Sequence, residues 1–304
     1  MIGLRDVRVG YGERAVLQVD DLALAPGRIT AVIGSNGCGK STLLRALVGL
    51  LPYGGSIRVC GDELRDLPHR ERARRVAYLP QVLQAPAMTV RTLVGHGRFS
   101  RLGPLQALGE GDERAIRHAM DLCDVWQLRD RAVRDLSGGE RQRAYLAMAI
   151  AQDAPMLLLD EPGAHLDVAH RLATHRIMRL LASEGKGVVV TSHDVTETFT
   201  VCDDVCLIGR GTIKAYGEAD RIVTEQDLLA DALGVRVRRV EGEGLLFPYA
   251  LVLGARGAIA RGRGAPGSHA HALVRTAPRG PWCDAEGRST LRSETRGGMP
   301  WATC

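Results

Sequence analysis

The sequence predicts an α/β fold on a mixed core sheet, with an N-terminal antiparallel β subdomain and a helical subdomain at about 82–150. Three observations carry the prediction. "ITAVIG" at 29–34 is a strand-length apolar run that leads through a glycine-rich loop into "KSTLLRALVGLL", where Leu43, Leu44, Leu47 and Leu50 follow helical spacing. Strand, glycine loop and helix in that order make one βα unit of a parallel sheet. "MLLLD" at 156–160 and "GVVVTSH" at 187–193 are continuous apolar runs, the pattern of strands buried on both faces. The short stretches "RDVRVGYG", "AVLQVDDLALAPG" and "SIRVCGD", broken by Gly, Pro and Asp, read as antiparallel strands wrapped around the strand at 29–34.

The remaining elements follow in order. "RDLPHRERARR" at 65–75 reads most simply as a solvated basic helix face. Residues 82–135 change character, and "DERAIRHAMDLCDVWQL" predicts a helix whose apolar stripe is Ala115, Met120 and Leu122 or Cys123. The α/β rhythm resumes with a helix over 140–152, the strand at 156–160, a helix over 168–183 and the strand at 187–193. "DVCLIGRGTIKAYG" then predicts a strand and turn. Residues 1–250 form the folded unit in this reading. The tail at 251–304 is rich in Gly, Arg and Pro and without periodicity, and is expected to be disordered. A basic tail that binds lipid headgroups or RNA is the functional alternative.

Composition narrows the class. Of 304 residues, 45% are apolar and 25% charged, as in an ordinary globular protein. No apolar run approaches the roughly 18 residues needed to span a bilayer, and "MIGLRDVRVG" has no signal-peptide layout. The expectation is a cytoplasmic chain whose membrane role, if any, runs through a partner. The seven cysteines contain no CxxC pair, which fits a reducing compartment and offers no zinc framework. Eight arginines against three acidic residues in 251–304 account for the whole net charge of +5. The body is therefore neutral, and a nucleic-acid partner is not expected.

"GSNGCGKS" spans Gly34, Ser35, Asn36, Gly37, Cys38, Gly39, Lys40 and Ser41, with Thr42 next, and satisfies G-x-x-x-x-G-K-[ST] between a strand and a helix. Glycines let backbone N–H groups face phosphate oxygens, and the helix start adds its partial positive charge. Lys40 is placed to reach the β- and γ-phosphates, and the Ser41 hydroxyl to ligate Mg²⁺. Only three of the 40 basic residues are lysines, so lysine here reads as a chemical choice: a compact point charge suits a narrow cradle.

"MLLLDEP" ends a buried strand on two carboxylates. Asp160 sits where ligands collect in open α/β sheets and is a candidate for Mg²⁺. Glu161 is placed to polarise a water for attack on the γ-phosphate. Alone, such a pair marks a solvated loop as readily, and the phosphate loop gives it meaning. His193 follows another buried strand, either as a structural hydrogen-bonder or as a catalytic group. Gln81 in "AYLPQ" offers a neutral amide to Mg²⁺ or water, or is simply a surface glutamine. Tyr11 offers a ring for stacking on a base, although a lone exposed Tyr in a turn is commoner.

"LSGGERQR" at 136–143 poses a separate question. Ser137 and Glu140 form S-x-x-E, a capping box that starts a helix. A capped helix does not need Gly138 and Gly139 at its mouth, and the pair bares N–H groups to an anion. One nucleotide cannot use two such helix starts on one sheet edge, whereas a second copy of the chain can bring one across.

These residues resemble the ATP-binding cassette (ABC) ATPases, which are P-loop NTPases. "GSNGCGKS" is similar to the family's Walker A, "LSGGERQR" to its signature and "MLLLDE" to its Walker B. Gln81 resembles its Q-loop, "AHLD" with Asp167 its D-loop, His193 its switch histidine and Tyr11 its adenine-stacking aromatic. The matches stand in the family's order and cover residues 1 to about 250. The resemblance implies ATP and Mg²⁺ as ligands, with Ser41, Gln81 and Asp160 about the metal. It implies a head-to-tail homodimer in which Ser137, Gly138 and Gly139 of one copy close on the γ-phosphate held by the other, while Glu140 holds its own helix start. Glu161 would be the general base, His193 would hold the γ-phosphate and water, and Gln81 would report to a membrane partner.

Within the family, "GDELRDLPHRERARRVAYLPQ", "MTVRTLVGHGRFSRLG" and "LLFPYAL" look like the importers of iron–siderophore, haem and cobalamin. That implies separate permease subunits, an indirect substrate-binding protein and a place at the cytoplasmic face of the membrane. "GRFSRLG" lacks the Pro-His of those members, and Gly163 stands where the family has Thr or Ser, with altered coupling as the expected effect. The alternatives are a soluble cassette ATPase acting on nucleic acid, ribosomes or cluster assembly, or the ATPase of an exporter.

Overall fold

A computed structural model describes residues 1–12, 14–103, 105–163, 166–240 and 249–253. Its N-terminal strands are β1 (Ile2–Tyr11), β2 (Arg14–Leu24) and β3 (Ile29–Gly34), and the first helix is α1 (Lys40–Leu47). Strands β4 (Tyr53–Val59) and β5 (Asp62–Glu63), helix α2 (His69–Arg75) and strand β6 (Val76–Leu79) follow. Three helices come next, α3 (Val90–Gly95), α4 (Glu110–Leu122) and α5 (Gly138–Ala151). Then β7 (Met156–Asp160), α6 (Val168–Ser183), β8 (Gly187–Thr191), α7 (Val195–Val201) and β9 (Asp204–Gly209) alternate. The last described elements are β10 (Thr212–Glu218), α8 (Ala219–Ile222), α9 (Gln226–Leu233), β11 (Val235–Arg239) and β12 (Tyr249–Leu253).

Ten strands form one mixed sheet in the order β5-β4-β1-β2-β10-β9-β3-β8-β7-β6. The antiparallel strands make one half of this sheet instead of a layer around β3. Strand β3 runs parallel to both β8 and β9, and β7 runs parallel to β8 and β6. Every residue of β3, β7, β8 and β9 is buried, as a parallel sheet covered on both faces requires. One apolar cluster joins the helical side of the sheet to α4, α5 and α6, and a second packs α1 against β1, β2 and β4.

Several boundaries differ from the sequence reading for identifiable reasons. Helix α1 stops at Leu47, not Leu50, because Gly49 takes a left-handed φ of 73°. Its N–H donates to Ala46 O (2.9 Å), and Leu50 N–H donates to Arg45 O (2.9 Å). This pair of bonds is the Schellman closure, and Leu50 is left exposed. In α4 the buried face is Ile116, Ala119 and Met120, continued by Cys123; Ala115 sits one position off it. The strand of 187–193 ends at Thr191. Residues 251–253, assigned above to the tail, belong to β12, which pairs antiparallel with β11. The rest of the tail, 254–304, lies outside the described residues.

The basic run of 65–75 is more than a solvated face. Arg72 donates to the carbonyls of Leu67 (2.8 Å) and Arg65 (3.0 Å), and both Arg70 (2.9 Å) and Arg74 (2.8 Å) donate to Ser100 O. These guanidinium groups satisfy loop carbonyls that have no helix or sheet partner. Arg98 of "GRFSRLG" does the same for the end of α5, donating to Ala151 O (2.8 Å) while pairing with Asp112 (2.9 Å).

Candidate functional site

The phosphate loop lies between β3 and α1, and its backbone explains its glycines. Gly37 (φ 76°) and Gly39 (φ 112°) occupy left-handed positions that L side chains avoid. Gly34 is excluded from carrying a side chain by space: an added Cβ would lie 2.3 Å from Ile208 O and 2.5 Å from Cys38 Sγ. Lys40 is buried at 7% exposure and its Nζ donates to Gly34 O (2.8 Å) and Ser35 O (3.3 Å), so the ammonium is held across the loop. Burial pushes the Cys38 thiol up, against the pull of Lys40, so Cys38 fills space and carries no charge.

Opposite the loop, β7 ends at Asp160, 1% exposed. A buried carboxylate is costly unless it is hydrogen-bonded, and three hydroxyls surround this one. Ser41 Oγ donates to Oδ1 (3.1 Å), Thr191 Oγ1 donates to the same oxygen (2.7 Å), and Tyr78 Oη donates to Oδ2 (3.3 Å). Burial and the neighbouring Asp160 charge push the Tyr78 phenol up to about 12, so it keeps the proton it donates.

Glu161 follows at a left-handed φ of 52°, unusual for a non-glycine residue. Its N–H donates to Thr191 Oγ1 (2.8 Å), and its Oε2 accepts from Gln81 Nε2 (2.9 Å). His193 Nδ1 stands 3.7 Å from the same Oε2, too far for a hydrogen bond. The His193 ring is mostly exposed, at 65%.

A cavity of about 470 Å³ brings most of these groups together. Asn36, Gly37, Gly39, Lys40, Ser41 and Thr42 border it on the loop side, and Gln81, Glu161 and His193 on the other. A ligand that enters meets backbone N–H groups and a lysine on one side and a carboxylate on the other. That arrangement takes a phosphate anion and offers a base beside it. Gly34, Ser35, Cys38, Asp160 and Tyr11 are not in this lining: Gly34, Cys38 and Asp160 are buried, Ser35 is exposed on the loop, and Tyr11, half exposed, accepts a bond from Arg45 (3.3 Å) at the end of β1.

The signature residues do not reach this cavity. Ser137 is the N-cap of α5: its Oγ accepts from Glu140 N (3.3 Å), while Glu140 Oε2 accepts from Ser137 N (2.8 Å). The reciprocal pair is the capping box read from the sequence, and it starts the helix at Gly138 rather than 140. The bonds from Ser137 hold the Glu140 carboxyl below its usual range. Gly138 has nothing within 4 Å of where a Cβ would be, and a Cβ on Gly139 would meet only Leu166 at 3.5 Å, so the two form a bare step.

Asp167 caps α6, accepting from His170 N (2.9 Å). The other D-loop positions, 164 and 165, lie outside the described residues. Gly163 has no left-handed φ, and a Cβ there would make ordinary contact with Arg171 at 3.4 Å. The turn does not demand glycine at that point.

Tyr78 and Thr191 are the polar partners of Asp160 that the sequence reading left out. Both were legible as polar residues in otherwise apolar strands, and Thr191 lies directly across from Asp160 in the β7–β8 register.

The chain matches the family model described as ABC transporter over residues 17–164. It is 37% identical over 226 residues to a probable siderophore transport system ATP-binding protein of Bacillus subtilis, covering 73% of this chain and 82% of that protein. It is 33% identical over 249 residues to the ferric enterobactin transport ATP-binding protein of Escherichia coli, covering 81% and 92%. Among solved structures, a metal-chelate type ABC transporter in an inward-facing conformation matches with a TM-score of 0.71 and 26% identity, over 83% of this chain and 97% of that one.

Proposed function

The chain belongs to the ABC transporter family of ATP-binding subunits, and on that premise we propose that its ATPase activity energises import of an iron–siderophore, haem or cobalamin complex through separate permease subunits. The similarity to siderophore and ferric enterobactin transport subunits supports the cargo class. A peripheral position at the cytoplasmic face, with a substrate-binding protein acting indirectly, follows from that role. Among the described residues no helix is long and apolar enough to cross a membrane, so the membrane passage falls to the permease.

The observation that carries the reading is one cavity shared by Lys40, Ser41, Gln81, Glu161 and His193, with Ser137–Glu140 outside it. Lys40 leaves its two loop carbonyls for the β- and γ-phosphates of ATP, and the loop N–H groups take the remaining oxygens. Ser41 and Asp160 give hydroxyl and carboxylate oxygens side by side, a hard donor pair that fits Mg²⁺ and leaves the rest of its shell to phosphate and water. Gln81 adds an amide oxygen to that set. When bound, the ion offsets charge developing on the phosphoryl oxygens.

Glu161 takes the proton of the attacking water, and His193 holds the γ-phosphate and that water in line. Water adds to the γ-phosphorus, the bond to the bridging oxygen breaks, and ADP and phosphate leave. Tyr11 stacks on the adenine at the open edge. Ser137, Gly138 and Gly139 serve the ATP of a second copy, whose own helix α5 completes the first site. Asp167 lies on the segment between the two.

Replacing Glu161 by Gln tests the assignment, since it keeps the shape and removes the base. Turnover is expected to fall at least about a hundredfold, with ATP-dependent dimerisation retained. A variant that hydrolyses ATP at the normal rate overturns the role of Glu161.

A further inference from the structure

Asp160 and Glu161 have different tasks, yet one hydroxyl touches both. Thr191, the last residue of β8, is completely buried. Its oxygen accepts from Glu161 N–H (2.8 Å) and its proton goes to Asp160 Oδ1 (2.7 Å). The polarity is fixed by chemistry: an amide N–H can only donate and an ionised carboxylate can only accept. The Thr191 hydroxyl bridges the two, accepting from one and donating to the other.

The geometry around Glu161 makes that bridge consequential. Its left-handed φ of 52° carries a backbone cost in a non-glycine residue. Such a conformation persists only where neighbours over-determine it. The bond from its own N–H to Thr191 ties the main chain at that residue in a part-buried position. Asp160 shares its Oδ1 between Thr191 and Ser41. Once Ser41 turns to a metal, Thr191 is the donor that keeps that oxygen in place. Thr191 is absent from the lining of the nucleotide cavity and borders the adjoining one with Glu161 and His193; its hydroxyl is engaged by Asp160 and the Glu161 backbone, so it acts through the two carboxylates and not on the reacting atoms.

We infer that Thr191 is the positioning residue of this ATPase, its single hydroxyl setting the direction of the metal-holding carboxylate and the backbone of the base together. The inference rests on the reading of Asp160 and Glu161 given above. It predicts that loss of the hydroxyl lowers kcat while nucleotide still binds, because the phosphate loop is untouched.

The test compares T191V, which keeps the shape and loses the hydroxyl, with T191S, which keeps the hydroxyl. Steady-state ATP hydrolysis by the full chain is measured against ATP and against Mg²⁺, with thermal unfolding alongside. T191V is expected to lose about tenfold to a hundredfold in kcat, with KM for ATP nearly unchanged and more Mg²⁺ needed for half-maximal rate. T191S is expected to stay close to the parent. A purely structural role would lower the unfolding temperature and leave kcat per folded molecule alone, and that result overturns the inference. If T191V does not fold, T191C takes its place: its weak donor must give a kcat well below that of T191S, and equal rates overturn the inference. E161Q is assayed in parallel. If E161Q is inactive and T191V is fully active, the inference alone falls; if E161Q is fully active, the assignment of Glu161 falls and takes the inference with it.

Discussion

Asp160 shows how this chain keeps a charge inside its sheet: three hydroxyls, from α1, β6 and β8, converge on one buried carboxylate. The charge was legible in "MLLLDEP", and Tyr78 and Thr191 were legible as polar residues, but that these two meet Asp160 was not, because they lie on strands 82 and 31 residues away in sequence. Periodicity reports which face a residue lies on and says nothing of which strand lies beside it. Tyr78 carries a pH signature of this cluster. Its phenol keeps its proton to about 12 in the folded chain, against an ordinary value of 10.0. Between these values the unfolded state binds fewer protons, so stability falls as pH rises through that interval. Tyr53, Tyr145 and Tyr216 are raised by burial as well, so Tyr78 contributes one share of the slope. Y78F is expected to flatten it, as read from urea midpoints across the interval, and an unchanged slope counts against the placement of Tyr78.

At the scale of elements, turn and cap chemistry decided the boundaries more than hydrophobic pattern did. The S-x-x-E box fixes Ser137 as N-cap, and the first helical residue must then be Gly138; the sequence reading found the box but began the helix at its last residue, Glu140. Gly49 ends α1 although Leu50 continues the helical spacing, because a left-handed residue closes the last turn. The arginines of 65–75 looked like a water-facing stripe, and their carbonyl partners could be found only once the loops at 65–67 and 100 were in place. The capping box gives an element-level prediction. S137A removes the bond to Glu140 N and is expected to cost about 1 kcal/mol in denaturant midpoint, without altering nucleotide binding by the isolated chain. An undiminished midpoint would show that the box does not hold the helix start.

For the molecule as a whole, the order of motifs made the α/β class and the family legible, since a phosphate loop, a strand ending in Asp-Glu and a strand ending near histidine must share one sheet edge. That β1, β2 and β4 continue the same ten-stranded sheet was not legible, because joining them to the core needs β10, which meets β2 through a single pair, Thr212 with Gln18. The signature stays outside the cavity of its own chain, and this separation is the reason for a two-chain account. The most direct test mixes a K40A chain with an S137R chain and measures ATP hydrolysis. Each variant alone has lesions in both shared sites and is expected to be inactive. Their mixed dimer has both lesions in one site and none in the other, so the mixture is expected to recover a clear fraction of the parent rate. A mixture as inactive as its components, although the two chains co-purify as a dimer in ATP, would contradict the sharing of each nucleotide between two chains.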